Sequence, residues 1–246
     1  MSEQIGEAFM AQTRYEQMGP SDQARGLPQP ALEAGPGEVL EEIALPRPSG
    51  AAAEPLDLTA AVERRVSLRE YAAAPLSLAE LSYLLWCTQG VKEVRGERAT
   101  LRTVPSAGAR HALETYVLAN RVAGLSAGLW RFLAAEHRLA RLAAPADVAE
   151  RAVEACMGQG FVKSAAATFI WVADVYRMTW RYGQRGYRYL HLDAGHVCQN
   201  LYLSAEAVGC GACAIAAFDD DKLNALVGAD GQNQFATYVA AVGKKS

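Results

Sequence analysis

Arg65, Ser67 and Arg69 stand two apart in the run Arg64-Arg65-Val66-Ser67-Leu68-Arg69. Guanidinium forks hold phosphate oxygens bidentately and a serine adds a hydroxyl, so this R-x-S-x-R run is a compact donor cluster for a phosphate. A solvated basic helix end that complements its own dipole has the same composition, and spacing alone leaves both readings open. Pro105-Ser106-Ala107-Gly108-Ala109 is a turn of small residues ahead of a strand-forming run. Such a loop lets backbone and hydroxyl donors approach a flat or polar ligand closely, although a plain tight turn reads the same way.

Three further groups carry chemistry on paper. Cys210-Gly211-Ala212-Cys213 has the C-x-x-C spacing, but the pair follows a helix carboxyl terminus, whose negative end raises a thiol pKa instead of lowering it. No second C-x-x-C completes a zinc site. His191 and His196 flank Asp193, yet five residues at ~100° each set the two imidazoles roughly 140° apart around a helix, so no metal is expected. The run Trp180 to Tyr189 mixes arginines and aromatics, as single-strand nucleic-acid platforms do, and equally as a pocket wall or loop lid does.

The elements that must hold these groups alternate between strand and helix. Leu56 to Arg65 reads as a short helix, and Ser77 with Glu80 makes a capping box ahead of Leu81, Leu84 and Leu85. Residues 113–120 and 167–173 read as strands, and 128–132 with 137–143 as a hairpin. Residues 189–208 make a long helix with only Asp193 and Glu206 charged, which predicts burial all round, either in a core or across a subunit interface. Asp219 caps a last helix that Gly228 closes, and a final strand runs from Phe235 to Gly243. The first 50 residues, with six of the ten prolines, read as an extended arm without helix or central strand, and residues 51–246 as the domain proper. Interleaved strands and helices make the fold α/β or α+β, a sheet covered by helices.

Composition narrows the function. Of 246 residues, 51% are hydrophobic and 21% charged, as in ordinary globular proteins. The net charge of −3 gives no broad basic footprint, so no nucleic-acid partner is expected. The longest run without a charged residue is the 13 residues Gly231 to Gly243, short of the ~20 a membrane span needs. An amino terminus without a basic region and an odd number of cysteines, five, point to reduced thiols and a cytoplasmic location.

Taken together, these pieces resemble the nitroreductase superfamily, and within it the SagB-type dehydrogenases, from about Asp57 to Gly243. The resemblance rests on R-x-S-x-R, LSYLLWCTQG, PSAGA, RYGQRGYRYLHLDAGHVCQN and GCGACAIAAFDDDKL, in that order. It implies an α+β fold, a central mainly antiparallel sheet wrapped by helices, in an intertwined homodimer with two FMN molecules at the subunit interface. By the same resemblance Arg65, Ser67 and Arg69 bind the FMN phosphate and ribityl chain. Pro105, Ser106 and Ala107 come from the partner subunit and line the flavin. The segment 214–217, ending in Ala216 and Ala217, offers backbone amides near flavin N5, and Lys244 is the available base for the phosphate.

The implied activity is ping-pong hydride transfer from NAD(P)H or another donor, through FMN, to a small electron-poor acceptor. Without a Rossmann G-x-G-x-x-G, the nicotinamide binds only transiently over the flavin. Tyr182 and Arg181 are the expected catalytic residues on the substrate side, with packing of the helix entry as the competing role for those aromatics. Azoline-forming members of the branch, which oxidise rings in modified peptides, usually carry Lys-Tyr where this chain has Arg181-Tyr182. Arginine stays protonated and is a poor general base, which argues against azoline chemistry and leaves Arg181 a substrate anchor. A non-catalytic FMN-binding or sensing protein shares every cofactor residue.

Overall fold

Apolar residues crowd both faces of the segment 167–173, and in the computed structural model of the chain, which describes residues 4–48 and 53–246, it is a central strand. The elements follow in the order α1 (Ile5–Gln12), β1 (Val39–Ala44), α2 (Leu58–Arg64), β2 (Leu76–Ser77) and α3 (Leu78–Gln89). Next come β3 (Val91–Arg95), β4 (Ala99–Arg102), β5 (Leu113–Ala119), β6 (Val122–Ala123), β7 (Gly128–Leu133) and β8 (Arg138–Leu142). Helices α4 (Val148–Ala155) and α5 (Phe161–Ser164) precede β9 (Ala167–Asp174), α6 (Val175–Tyr182) and α7 (Gly186–Ala207). The chain closes with β10 (Cys210–Ile215), α8 (Asp220–Val227) and β11 (Gln234–Lys244).

Seven strands form one sheet in the order β1-β8-β7-β5-β9-β11-β10, every neighbouring pair antiparallel. Alternation along β9 sends Phe169, Trp171 and Ala173 into a core shared with α3 and α7. Ile170 and Val172 point the other way, into a second core with α4 and α8. Helices on both faces of an antiparallel sheet make this the expected nitroreductase-like α+β fold. The helix boundaries also follow the sequence: Ser77 and Glu80 close their capping box, Asp219 caps α8, and Gly228 ends it in the left-handed region.

One expectation changes. The first 50 residues hold helix α1 and strand β1, because α1 ends before the first proline, Pro20, and β1 lies at a sheet edge between Pro36 and Pro46. The boundary drawn at residue 50 falls outside the described residues. The segment does lie on the body: Trp180 donates to Leu27 O at 3.0 Å, and Arg131 donates to Ala34 O and Gly35 O at 2.8 Å each. The C-x-x-C pair follows the carboxyl end of α7, as expected, and lies within β10. Residues three apart on a strand face opposite sides, all five cysteines are free, and burial pushes the Cys210 thiol up to about 12. Within the chain, helix α7 buries the faces it turns to the sheet and to α3, and the expected burial across a subunit interface is not tested by a single chain. His191, Leu192, Gly195, His196 and Gln199 form an exposed stripe, with Leu192 60% exposed.

Two facing glycines bring the arginine run onto the sheet. Gly211 on β10 pairs with Gly243 on β11, and a Cβ at either would collide with Leu68 at 2.6 Å or with the Tyr71 ring at 2.7 Å. The segment after α2 therefore lies flat on the sheet edge. Leu68 N donates to Ala212 O at 2.9 Å, and the Tyr71 hydroxyl donates to Leu68 O at 2.7 Å.

Candidate functional site

Helix α2 starts at Asp57, whose carboxylate accepts from the amides of Thr59 and Ala60, and it stops at Arg65. Beyond it the chain runs extended beside β10, with Ser67 bridging Ala212 in parallel. In an extended run alternate side chains share a face, so Arg65, Ser67 and Arg69 project together. The Arg65 guanidinium lies 5.3 Å above the Tyr202 ring, and that of Arg69 lies 6.0 Å above the Phe161 ring. Among the described residues neither arginine has a carboxylate within ion-pair distance. Ser67 Oγ lies 3.1 Å from the Tyr202 hydroxyl, which accepts the Ala214 N–H at 2.7 Å. Beyond β10, Ala216 and Ala217 are exposed, and neither amide meets a backbone acceptor among the described residues. Two unpaired guanidiniums, a hydroxyl and open amides along one sheet edge suit an anionic, phosphate-bearing ligand.

Lys244 sits apart from these donors. Its ammonium is paired with Glu80 and donates to Val208 O at 2.8 Å, so it reaches a phosphate only by giving up those partners.

A second cluster forms where the 105–109 loop meets the end of α6. The Ala107 amide donates to Asp193 Oδ1 at 3.2 Å, and Ser106 Oγ accepts the His111 amide at 2.8 Å. Gly108, Ala109 and His111 all hold positive φ, at 56°, 52° and 44°. Such strain persists only where the surroundings over-determine it. A Cβ on Gly108 would lie 2.4 Å from the Tyr182 hydroxyl and 2.8 Å from Arg181 Nε. The loop thus meets Arg181 and Tyr182 at Gly108, while Ser106 and Ala107 are tied to His111 and Asp193. Tyr182 meets Tyr189 edge-on at 4.9 Å, and the Arg181 guanidinium lies 5.7 Å from the Tyr182 ring. Asp193 is 4% exposed, its Oδ2 has no hydrogen-bond partner among the described residues, and burial pushes its carboxyl above the usual range.

The two clusters hang on one helix, Tyr202 serving the first and Asp193 the second. Nine residues separate them, which is ~13.5 Å of rise and ~180° of turn on α7. Within one chain the 105–107 loop and the arginine run therefore serve opposite faces of the helix. Sequence reasoning missed Tyr202, because a tyrosine on an apolar helix bears no spacing relation to a serine 135 residues earlier. It read Asp193 only as a neighbour of His191 and His196. Both histidines are exposed, and no three metal-ligating side chains gather among the described residues.

The chain belongs to the nitroreductase family, whose family model matches residues 62–244. It is 36% identical over 174 residues to a protein of Methanocaldococcus jannaschii bearing the nitroreductase name, a match that covers 71% of this chain and 85% of that one. It is 31% identical over 112 residues to the trifolitoxin-processing protein TfxB of Rhizobium leguminosarum bv. trifolii, covering 44% of this chain and 30% of that protein. Crystal structures of nitroreductases from Anabaena variabilis and Ralstonia eutropha each superpose with TM-score 0.68 at 27% identity. They cover 84% and 89% of this chain, which spans 42% of the first and 95% of the second. Among the described residues no helix is long and apolar enough to cross a membrane.

Proposed function

We propose that the protein is an FMN-dependent oxidoreductase that works as a homodimer. The observation that carries this reading is the set of unpaired donors at Arg65, Ser67 and Arg69 along the β10 edge. Bound FMN would supply the hydride chemistry, accepting from NAD(P)H or another donor and passing to a small electron-poor acceptor. Arg65 and Arg69 would hold its phosphate, Ser67 would donate to the phosphate or to the ribityl chain, and the open Ala216 and Ala217 amides would be available to the flavin ring. Pro105, Ser106 and Ala107 reach this cofactor from the second subunit, in keeping with their place on the opposite face of α7. Arg181 anchors the acceptor, and Tyr182 holds or moves a proton at its hydroxyl. The exposed α7 stripe and the exposed Val62 and Val66 near the arginine run are the surface a second subunit would cover.

Purified or reconstituted protein should show a flavin spectrum, with about one FMN per chain. Failure to take up FMN removes this reading. Arg65→Ala should weaken FMN retention about tenfold or more, as expected for a charge-assisted contact, and Arg185→Ala should not. Stopped-flow mixing with NADH and NADPH checks the donor by bleaching of the flavin, and a non-catalytic flavoprotein would show no such bleaching.

The SagB-type resemblance implies a second reading, azoline oxidation in modified peptides, and the likeness to a protein named for processing trifolitoxin favours keeping it. Anaerobically reduced protein re-oxidised by small quinones or nitroaromatics, together with no oxidation of an azoline-bearing peptide by the oxidised form, selects the first. Dehydrogenation of the peptide selects the second.

A further inference from the structure

We propose that Tyr202 is a positioning residue that fixes the direction of the Ser67 hydroxyl, so that Ser67 meets its ligand as a donor. The inference rests on the flavin reading above and concerns the same phosphate-side cluster. It starts from proton accounting at one oxygen. The Tyr202 hydroxyl accepts the Ala214 N–H at 2.7 Å, and a backbone amide can only donate. The phenol has one proton of its own, and among the described residues Ser67 Oγ, at 3.1 Å, is the acceptor that proton meets. Either hydroxyl could donate across that contact, but the reverse order makes the phenol oxygen accept twice and strands the proton of a 9%-exposed phenol, whereas Ser67 is exposed. The phenol donates, and Ser67 turns its own proton outward, with no acceptor among the described residues. The order is Ala214 N–H to Tyr202 O–H to Ser67 O–H, each group donating to the next and the last donating outward.

The chain begins at the strand and ends between two guanidiniums. Ala214 is fixed in the β10 ladder opposite Ala240, so the first donor cannot reverse. Tyr202 is 9% exposed and its ring lies beneath Arg65, so the phenol is held in place by packing as well as by hydrogen bonds. An unconstrained serine would spend part of its time presenting a lone pair toward an anion. Here the orientation is set before the ligand arrives, which lowers the cost of binding. Nothing about Tyr202 makes it a contact of the ligand; it acts through Ser67.

A double-mutant cycle on FMN affinity tests this, with apo-protein titrated by FMN and read through quenching of flavin fluorescence. Tyr202→Phe keeps the ring beneath Arg65 and removes only the hydroxyl, while Ser67→Ala removes the final donor. Each single variant should weaken FMN binding by about fivefold to tenfold, the effect of one hydrogen bond. The double variant should be no weaker than Ser67→Ala, because Tyr202 has nothing left to orient. Should the first variant not fold, Tyr202→Met replaces it in the cycle. It also gives up the ring beneath Arg65, so its effect in the Ser67→Ala background reads the ring, and only the excess of its effect in wild type reads the hydroxyl. Losses that multiply in the double variant, or unchanged affinity in Tyr202→Phe, overturn the role of Tyr202 and leave the flavin reading standing. Wild-type protein that takes up no FMN overturns both.

Discussion

Tyr182 sits in contact range of three groups that differ in chemistry: the Gly108 backbone, the Arg181 guanidinium and the Tyr189 ring. Its ring is held by the edge-on contact with Tyr189, so the hydroxyl is the part available for chemistry. Tyr182→Phe keeps that contact and should leave stability and FMN binding unchanged. If the hydroxyl passes a proton, turnover with a good acceptor should fall at least about tenfold, at the low end of general acid–base effects. Unchanged turnover would make Tyr182 a packing residue. Arg181 beside it cannot serve as a base, so Arg181→Lys should raise KM for an acceptor by more than it lowers kcat.

At the scale of elements, the 105–109 turn is the piece whose geometry has least freedom. Gly108 combines a left-handed backbone with a wall formed by Tyr182 and Arg181. Gly108→Ala should cost about 1–3 kcal/mol in urea unfolding and lower turnover by displacing Tyr182. Gly124, also left-handed at φ 86° but with open space around its Cβ position, provides the control. Gly124→Ala should cost about 1–2 kcal/mol from the backbone alone and leave turnover intact. Equal effects on turnover would show that the steric contact at Gly108 does not position the tyrosine. The arginine run depends on its element in another way: it is exposed and extended, and its alignment comes from the flat Gly211–Gly243 pair beneath Leu68 and Tyr71.

For the whole molecule, a buried charge cluster ties the amino-terminal segment to the body. Glu114 bonds Arg177 at 2.7 Å and Arg131 at 2.8 Å and accepts the Ala34 amide at 2.9 Å. Burial alone would raise its carboxyl, but the two guanidiniums outweigh that and hold it at about 2. Burial, with Arg102 and Arg110 nearby, pushes His111 down from 6.5 to about 3. Both groups have folded pKa values below their unfolded ones, so the stability they contribute is lost as pH falls. The His111 contribution is complete above 6.5 and declines toward 3; that of Glu114 is complete above 4.5 and declines toward 2. Between pH 6.5 and 4.5 His111 acts without Glu114, at up to about 1.4 kcal/mol per pH unit. His111→Asn, chosen because asparagine tolerates the positive φ, should flatten that slope in urea unfolding. An unchanged slope would mean that another group titrates there.

What the sequence determined by itself was local or periodic. Short apolar and β-forming runs marked β5, β7, β8 and β9, alternation marked β11, and the Ser77 box, Asp219 and Gly228 marked helix ends, because these signals lie within a few residues of their effects. The R-x-S-x-R run and the 105–107 turn were legible for the same reason. Helix α1 was not, since proline content averaged over 50 residues hid eight that precede the first proline. Only the tertiary structure set Tyr202 beside Ser67 and Asp193 beside Ala107, and tied Lys244 to Glu80. Those contacts join residues 86 to 164 positions apart, and a hydrogen bond between groups so distant leaves no spacing in the chain from which it could be read.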